Sequence, residues 1–315
     1  MSEFDLIKRY FTRPAPGATL GVGDDAALLR IADGMELAVS TDILVSGTHF
    51  LPDTDPFLLG HKTLAVNLSD LAAMGADPRW ATLALSLPKA DEDWLQQFSA
   101  GFFALADEHG VELVGGDTTR GPLNLCVAIM GEVPAGKALR RSGARAGDDI
   151  WVSGRLGMAA LGLAHLQGRV VLPEDTRSAC LAALHRPQPR VALGMALRDI
   201  AHAAIDISDG LLADLGHILE CSQLGAEIQF ELIPKAGGEG IDEVLFRQCV
   251  LAGGDDYELC FTASAERRGE IEAVAGKLQL PLARIGSICA KQGCMVRAGD
   301  GSEIKITESG YDHFK

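Results

Sequence analysis

Aspartates beside small polar residues or glycine are the chemically most informative pattern in this sequence. They are Asp24, Asp25, Asp42, Asp117, Asp206 and Asp209. We expect them where predicted strands end, and carboxylate, hydroxyl and carbonyl oxygens there are the ligands that Mg²⁺ prefers. Aspartate next to glycine is also ordinary turn chemistry. We interpret Asp148 and Asp149 as turn residues, and likewise Asp53, Asp55 and Asp77, which lie near prolines.

Asp70 belongs to the same set but lies on a predicted helix. Residues 62–78 place Leu64, Leu68 and Leu71 at helical spacing, and we expect Pro78 to end the helix. Asn67 and Asp70 are three residues apart and therefore share one face. An ionised carboxylate in an apolar helix is costly unless a cation or hydrogen-bond donors meet it. Both interpretations remain open, and the other aspartates favour the cation.

Composition limits the class of protein. The chain has 315 residues, 47% of them hydrophobic, and a formal net charge of −15. It therefore predicts one large or two ordinary domains, and it argues against nucleic acid as a partner because no basic surface would neutralise phosphates. Seven cysteines without a Cys-x-x-Cys pair predict reduced thiols rather than a zinc site. The N-terminal segment predicts a capped amphipathic helix, no apolar run is long enough to span a membrane, and we expect a cytoplasmic protein.

Strand and helix patterns alternate in both halves, which predicts an α/β fold built of α+β layers. Residues 134–148 contain basic side chains and several glycines, so we expect a boundary there, with domains 1–137 and 138–315. Strands are expected over 26–31, over 36–39 just before Ser40-Thr41-Asp42, and over 111–114 just before Gly115. Helices are expected over 189–203 and from Leu211 to about Cys221.

Several well-known nucleotide and hydrolase motifs are missing from the sequence. There is no Gly-x-x-x-x-Gly-Lys-Ser/Thr loop, no Gly-x-Gly-x-x-Gly at a strand–helix junction, no His-Glu-x-x-His and no Gly-x-Ser-x-Gly. The negative aspartates alone would repel a polyphosphate, and divalent ions bound by them would attract it instead. The residues thus favour a metal-dependent phosphate site of another kind.

Longer motifs resemble one known family. Gly-Val-Gly-Asp-Asp-Ala-Ala-Leu, Asn-Leu-Ser-Asp-Leu-Ala-Ala-Met-Gly-Ala-Asp-Pro, Gly-Gly-Asp-Thr-Thr and Asp-x-Ser-Asp-Gly-Leu follow each other along the chain. Together with Ser-Thr-Asp-x-Leu-Val-x-Gly-x-His-Phe, Gly-Gly-Asp-Asp-Tyr-Glu-Leu and a terminal Gly-Tyr-Asp-His-Phe, they resemble the thiamine-monophosphate kinases. These belong to the superfamily of aminoimidazole ribonucleotide synthetase, and the resemblance runs from residue 4 to residue 314.

The resemblance implies an activity and an assembly. The activity is ATP-dependent phosphorylation of thiamine monophosphate to thiamine diphosphate, the final step of thiamine diphosphate biosynthesis, with several Mg²⁺ ions. The resemblance also implies a homodimer formed by the N-terminal domain, and a C-terminal α/β domain that covers nucleotide and substrate.

The matching motif positions imply roles for individual residues. Metal would be held by Asp25, Ser40, Thr41, Asp42, Asp70, Asp117, Asp206 and Asp209, of which Asp25, Asp42, Asp70 and Asp209 would be catalytic. ATP would contact Gly116, Asp117, Arg141 and Ser208, and the thiamine substrate would contact His49, Asp255 and Tyr311. Asp255 stands where the family usually has Glu, and its carboxylate is one methylene shorter. A C-terminal anchor is the alternative for Tyr311.

Two alternatives remain open at this point. One is another enzyme of the superfamily, an ATP-dependent ligase or a selenophosphate synthetase, although the latter's catalytic cysteine near the N-terminus is missing. The other is a catalytically inactive nucleotide-binding partner protein, against which the intact aspartate motifs argue.

Overall fold

The computed structural model describes residues 2–305, 309–311 and 313–314, which form two compact units. The N-terminal unit comprises Met1–Leu71 and Ala76–Gly136, and the C-terminal unit comprises Ala72–Gly75 and Lys137–Lys315. Of the terminal Gly-Tyr-Asp-His-Phe motif, Asp312 lies outside the described residues.

The N-terminal unit starts with the expected capped helix, in which the Ser2 side chain accepts the N–H of Asp5. Its elements are α1 (Glu3–Leu6), a π-helical turn (Ile7–Phe11), β1 (Ala18–Leu20), β2 (Leu28–Leu29), β3 (Met35–Val45), α2 (Pro56–Ala73), β4 (Asp77–Leu87), α3 (Glu92–His109), β5 (Glu112–Arg120) and β6 (Asn124–Pro134). The strand order of its four-stranded sheet is β3-β6-β4-β5, with β4 and β5 parallel and the other pairs antiparallel.

The two faces of this sheet differ in burial. Alternate residues of β6 are fully buried, among them Leu125 and Val127, because side chains alternate between faces along a strand. On the other face β3 exposes Leu37, Val39 and Ile43, which are 38%, 59% and 53% exposed. The N-terminal unit therefore has one packed face and one open apolar face.

Helices α2 and α3 approach closely on the packed side. A Cβ on Gly60 would lie 2.0 Å from the carbonyl oxygen of Phe98, and one on Gly101 would lie 1.9 Å from that of Phe57. Only glycine permits this spacing, since a methyl group at either position would push the helices apart. The contact fixes α2, which carries Asp70.

The predicted C-terminal end of α2 is wrong. The helix spans Pro56–Ala73 and therefore ends before Pro78, which lies in β4. Gly75 has a φ of +64°, and the N–H groups of Gly75 and Ala76 donate to the carbonyls of Ala72 and Leu71. This is a Schellman motif, so a left-handed glycine ends the helix before the proline is reached.

Three strand predictions are also wrong in their bounds. Ser40, Thr41 and Asp42 lie inside β3 and not after its end, because β3 pairs with β6 along its whole length. Gly116 and Asp117 likewise lie inside β5, paired with β4. The strand expected over 26–31 is reduced to Leu28–Leu29. Sheet pairing continues through polar and glycine residues of a kind that is also typical of turns.

The C-terminal unit has a second sheet with helices. Its elements are β7 (Asp149–Ser153), α4 (Met158–Leu166), α5 (Glu174–His185), α6 (Val191–Ala196), β8 (Ala203–Ile207), α7 (Leu211–Ser222), β9 (Gly225–Gln229), a 3₁₀ turn (Phe230–Leu232), α8 (Glu243–Ala252), β10 (Glu258–Ala263), a 3₁₀ turn (Ala265–Arg267), α9 (Arg268–Leu278), β11 (Leu282–Cys289), β12 (Gly293–Arg297) and β13 (Glu303–Ile304). Among the described residues the strand order is β13-β12-β9-β11-β7-β10-β8.

The core of this unit lies between the sheet and its helices. Buried side chains of β7 and β8, such as Ile150, Val152 and Ile205, pack with Leu215 and Ile218 of α7. The predicted α/β character is confirmed in both units. The helix expected over 189–203 is wrong beyond Ala196, because the chain turns there and enters β8 at Ala203. Within the described residues, no helix is both long enough and apolar enough to cross a membrane.

Candidate active site

Helix α2 and strand β3 bring one group of predicted site residues together. The Ser40 hydroxyl donates to a carboxylate oxygen of Asp70, and the backbone N–H of Asp42 donates to Asn67 Oδ1 at 3.2 Å. Ser40 and Asp42 alternate along β3 with exposed residues, so both belong to the face that meets α2. This face therefore concentrates carboxylate and hydroxyl oxygens.

Asn67 is oriented from within its own helix. Its Nδ2 donates to the carbonyl of Thr63 at 3.1 Å, and the Thr63 hydroxyl donates to the carbonyl of Leu59 at 2.7 Å. Asn67 is 1% exposed. The side-chain amide of Asn67 is therefore fixed, and its oxygen faces β3. This contact explains why a polar residue shares the helix face of Asp70.

Thr41 and Asp117 are predicted metal ligands that do not join the group formed by Ser40, Asp42 and Asp70 within one chain. Thr41 is exposed and alternates with Ser40 and Asp42, so its side chain belongs to the open face. Asp42 and Asp117 lie on the two outer strands, β3 and β5, with β6 and β4 between them. Three strand spacings separate them by about 14 Å, so one chain cannot bind a single ion with both.

Gly116 and His49 are each held in place in the same unit, Gly116 through its backbone and His49 through its side chain. Gly116 has a φ of +150°, and a Cβ there would lie 1.9 Å from the carbonyl oxygen of Leu83. His49 lies in the turn after β3, where its Nδ1 accepts the N–H of Val45 at 3.0 Å. That bond leaves Nε2 as the protonated nitrogen of the neutral ring. Asp25 is exposed in the connection between β1 and β2, with its N–H bonded to Asp24 Oδ1 at 3.0 Å.

In the C-terminal unit, the turn after β8 is organised by a residue that the sequence analysis missed. One carboxylate oxygen of Asp214 accepts the N–H groups of Ser208, Asp209 and Gly210 at 3.0, 3.1 and 3.0 Å. Asp214 lies in the first turn of α7 and is 3% exposed. Burial raises the pKa of its carboxyl to about 7, while the three N–H donors act against that rise. A carboxylate four residues after Gly210 was the available sequence signal.

The same turn meets the segments that carry Asp255 and Tyr311. The N–H of Asp255 donates to the carbonyl of Ser208 at 2.9 Å, and the N–H of Tyr311 donates to that of Asp209 at 3.0 Å. Four predicted site residues, Ser208, Asp209, Asp255 and Tyr311, are thereby neighbours through the backbone. Tyr311 is 51% exposed, and its ring lies against His313 with 4.9 Å between centroids.

Charges around Asp209 connect further residues to this group. Burial raises the pKa of the Asp209 carboxyl, and the negative charge of Asp255 adds to the rise. Positive charge acts in the opposite direction, and it comes from His313, His217 and Arg141. Arg141, a predicted ATP contact, therefore lies within electrostatic range of Asp209. Asp206 is 4% exposed on β8, paired in register with Leu259 of β10.

A buried ion pair made by Glu258, three residues after Asp255, was also missed from the sequence. Glu258 accepts from Arg190 Nε at 2.6 Å and from the Ser153 hydroxyl at 2.5 Å, and it is 6% exposed. Asp256 accepts the N–H of Gly157 at 2.7 Å, and burial raises the pKa of its carboxyl well above the usual range. In the acidic motif, Asp256 and Glu258 thus make buried structural bonds, while Asp255 remains the candidate substrate contact.

The donor set fits Mg²⁺ in its chemistry. The described residues contain no ready cluster of three His, Cys, Asp or Glu side chains that would hold an ion alone. Mg²⁺ is usually bound by one or two carboxylates together with substrate phosphates and water, and it does not require such a cluster. The oxygens of Asp42, Ser40 and Asp70, gathered between β3 and α2, meet that requirement.

Comparisons with known proteins agree with the two units. Residues 23–133 match the model for the AIR synthase related protein N-terminal domain, and residues 145–298 match that for the C-terminal domain. The thiamine-monophosphate kinase of Salmonella typhimurium is 49% identical over 99% of this chain and 98% of its own length. That of Bacillus subtilis is 33% identical over 100% of both chains.

Solved structures give the same assignment. The thiamine-monophosphate kinase of Stenotrophomonas maltophilia is 51% identical, with a TM-score of 0.85 over 96% of each chain. AaThiL complexed with AMPPCP and TMP is 30% identical, with a TM-score of 0.79 over 99% of this chain and 96% of that one. At this identity and coverage, the chain belongs to the thiamine-monophosphate kinase family of the AIR synthase related proteins.

Proposed function

We propose that this chain is an ATP-dependent kinase that phosphorylates thiamine monophosphate to thiamine diphosphate. The observation that carries the proposal is 49% identity over 99% of the chain to the Salmonella typhimurium kinase. The complex of AaThiL with AMPPCP and TMP, at 30% identity, supports ATP as donor and thiamine monophosphate as acceptor. The acidic residues of α2 and β3 in the N-terminal unit, and those of the turn after β8 in the C-terminal unit, supply suitable chemistry.

The acceptor requires no general base. A phosphate monoester has a second pKa near 6, so its attacking oxygen is already largely anionic at neutral pH. The remaining task is to align two anions and to reduce their repulsion. The carboxylates of Asp25, Asp42, Asp70, Asp117, Asp206 and Asp209, with the hydroxyl of Ser40, would hold the Mg²⁺ ions, whereas the Thr41 side chain lies on the open face and is left out of this set. Bound Mg²⁺ would supply charge neutralisation at the phosphates.

The other predicted residues bind and orient the two substrates. Arg141 offers a cation for the phosphates of ATP, while Gly116, Asp117 and Ser208 complete the ATP contacts. His49 and Asp255 would contact thiamine monophosphate. Tyr311 exposes a ring face that attracts the positively charged thiazolium, since cations bind over aromatic faces.

We also propose that the protein acts as a cytoplasmic homodimer. The open face of the N-terminal sheet supports the dimer, because Leu37, Val39 and Ile43 form an exposed apolar row on β3. Contiguous apolar patches of this kind mark interaction sites. A second copy would bury them.

The activity is tested with purified protein, ATP, Mg²⁺ and thiamine monophosphate. We expect ADP and thiamine diphosphate in equal amounts by mass spectrometry, loss of the reaction with a chelator, and recovery with Mg²⁺. Unphosphorylated thiamine serves as the control acceptor, because it lacks the anionic oxygen. The absence of thiamine diphosphate with Mg²⁺ present would overturn the proposed function, and full turnover without metal would overturn the role of the carboxylates.

A further inference from the structure

Residues 253–257, which connect α8 to β10, form a loop that is held against the turn after β8. The N–H of Asp255 donates to the carbonyl of Ser208 at 2.9 Å, and that of Tyr257 donates to the carbonyl of Ile207 at 2.8 Å. A Cβ on Gly254 would lie 2.5 Å from the Ser208 carbonyl oxygen, so the two backbones are in direct contact. The backbone position from which the Asp255 side chain extends is therefore fixed.

The backbone of this loop is strained at two residues other than glycine. Asp255 has a φ of +69° and Tyr257 a φ of +50°. A left-handed conformation at an aromatic residue is uncommon, and it persists only where the surrounding structure enforces it. Such outliers concentrate at ligand-binding sites, where a strained backbone aims a side chain.

The residues between and after the strained positions provide that enforcement. Asp256 accepts the N–H of Gly157 before α4 at 2.7 Å. Glu258 pairs with Arg190 through both carboxylate oxygens and accepts the Ser153 hydroxyl. These buried bonds fix Asp256 and Glu258, and so every second residue of the segment.

Asp255 and Tyr257 are joined by a side-chain hydrogen bond. The Tyr257 hydroxyl donates to Asp255 Oδ1 at 3.0 Å, and Tyr257 is only 8% exposed. A buried phenol has two torsions, both restricted by packing, so its hydroxyl is a fixed donor. It limits the rotation of the Asp255 side chain, which is half-buried.

We propose that Tyr257 is a positioning residue for the acceptor substrate, acting through its hydrogen bond to Asp255. This inference rests on the proposed function, in which Asp255 contacts thiamine monophosphate. The short Asp255 side chain reaches its ligand from one orientation, and Tyr257 holds that orientation before the substrate binds. Such preorganisation lowers the entropic cost of binding. The hydrogen bond orients only the Asp255 side chain, which is not among the predicted ATP contacts, so we expect an effect on the acceptor and not on ATP.

The first test is Tyr257→Phe, which deletes the hydroxyl and keeps the ring. We expect the KM for thiamine monophosphate to rise about tenfold, the range of one hydrogen bond to a charged group. The KM for ATP and kcat should change little, and the Tm should fall by no more than about 4 °C. Calorimetry of thiamine monophosphate with AMPPCP present should show the same loss of affinity without turnover. Tyr10→Phe is the matched control, because the Tyr10 hydroxyl is buried without a hydrogen-bond partner in the described part of the chain.

The second test separates positioning from direct contact. With Asp255→Ala as background, the further change Tyr257→Phe should leave the affinity for thiamine monophosphate unchanged, because the group to be oriented is gone. An unaltered acceptor KM in Tyr257→Phe would overturn the inference while the kinase function stands. An equal loss in the Asp255→Ala background would also overturn it. A wild-type protein without kinase activity would instead overturn the proposed function and the inference together.

Discussion

Ser40 of β3 donates its hydroxyl hydrogen to a carboxylate oxygen of Asp70 of α2. The bond joins a residue of an outer strand to a residue of a helix that is buried along most of its length. The bond gives Asp70 one neutral donor. A carboxylate can bind a hard cation while it also accepts such a hydrogen bond.

We predict that Asp70→Asn abolishes most activity and preserves the fold. The amide keeps the shape and can still accept from Ser40, but it is a much weaker ligand for a hard cation. Loss of several kcal/mol of charge stabilisation corresponds to a fall in kcat of about 100-fold or more. Steady-state kinetics and thermal unfolding measure the two effects. Asp53→Asn, an exposed aspartate of the same unit, should be unaffected. Near-normal activity of Asp70→Asn would make Asp70 a structural residue.

The sequence predicts which of these residues lie together better than it predicts the bounds of the strand that carries them. The spacing of Asn67 and Asp70 places both on one helix face, and both meet β3 as that spacing requires. The strand that they meet was expected to end before Ser40. It continues to Val45, because eleven residues of β3 pair in register with β6. Pairing between distant strands is not encoded in the local turn signals that we used.

Residues that support the site were harder to find than those that form it. Asp214, Arg190 and Glu258 act through hydrogen bonds to partners far along the chain or to backbone N–H groups. Glu258 and Arg190 are 68 residues apart, and nothing in the local sequence relates them. Supporting residues of this kind can be recognised only in the folded structure, where each hydrogen-bond donor lies next to its acceptor.

Val39→Asp should dissociate the proposed dimer. Val39 is 59% exposed on the open face, so the charge costs little in one chain but would be buried in an interface. Sedimentation velocity should show a shift from dimer to monomer at micromolar concentration. Val171→Asp is the matched control, because Val171 is 85% exposed in the C-terminal unit and outside this face. A Val39→Asp protein that sediments as the wild type would locate the interface elsewhere.

Asp214→Ala should destabilise the C-terminal unit. Three backbone N–H groups would lose their common acceptor, and they lie in a buried turn. We expect a loss of about 2–4 kcal/mol in the free energy of unfolding, measured in urea. Asp214→Asn keeps one acceptor oxygen and should lose less than half of that. The control is Asp175→Ala, an exposed position in the first turn of α5. Equal stability of the alanine variant and the wild type would show that water replaces the acceptor without cost.

Asp149 should make stability depend on pH in the acid range. Arg268 bonds to both of its oxygens at 2.6 and 2.8 Å, and it lowers the pKa of the carboxyl below the usual 3.8, with Arg284 adding to the effect. The unfolded chain then binds the proton more readily. The stabilisation is therefore complete above pH 3.8 and is lost as the pH falls through the lower, folded pKa.

We accordingly predict that Asp149→Asn lowers the free energy of unfolding at pH 7 by about 2–3 kcal/mol. This is somewhat below the usual cost of about 3–5 kcal/mol for breaking a buried pair, because both arginines are half-exposed. The difference between wild type and variant should shrink below pH 3.8, measured by urea unfolding at each pH. A difference that stays constant down to pH 2 would mean that the charge of Asp149 contributes nothing.

The phosphoryl group should pass directly from ATP to thiamine monophosphate. Each carboxylate that could accept the phosphoryl group is a proposed metal ligand. The acceptor oxygen of thiamine monophosphate is already anionic and needs no activation, so a covalent intermediate would offer little. Initial-rate plots at several fixed acceptor concentrations should intersect, as for a ternary complex. A phosphoryl group made chiral with oxygen isotopes should invert once. Exchange of label between ATP and ADP should be absent without the acceptor, and this is the simplest of the three measurements.

Parallel plots together with retained configuration would reveal a phosphoenzyme, and the carboxylate that carries the phosphoryl group could then not be a metal ligand in the same step.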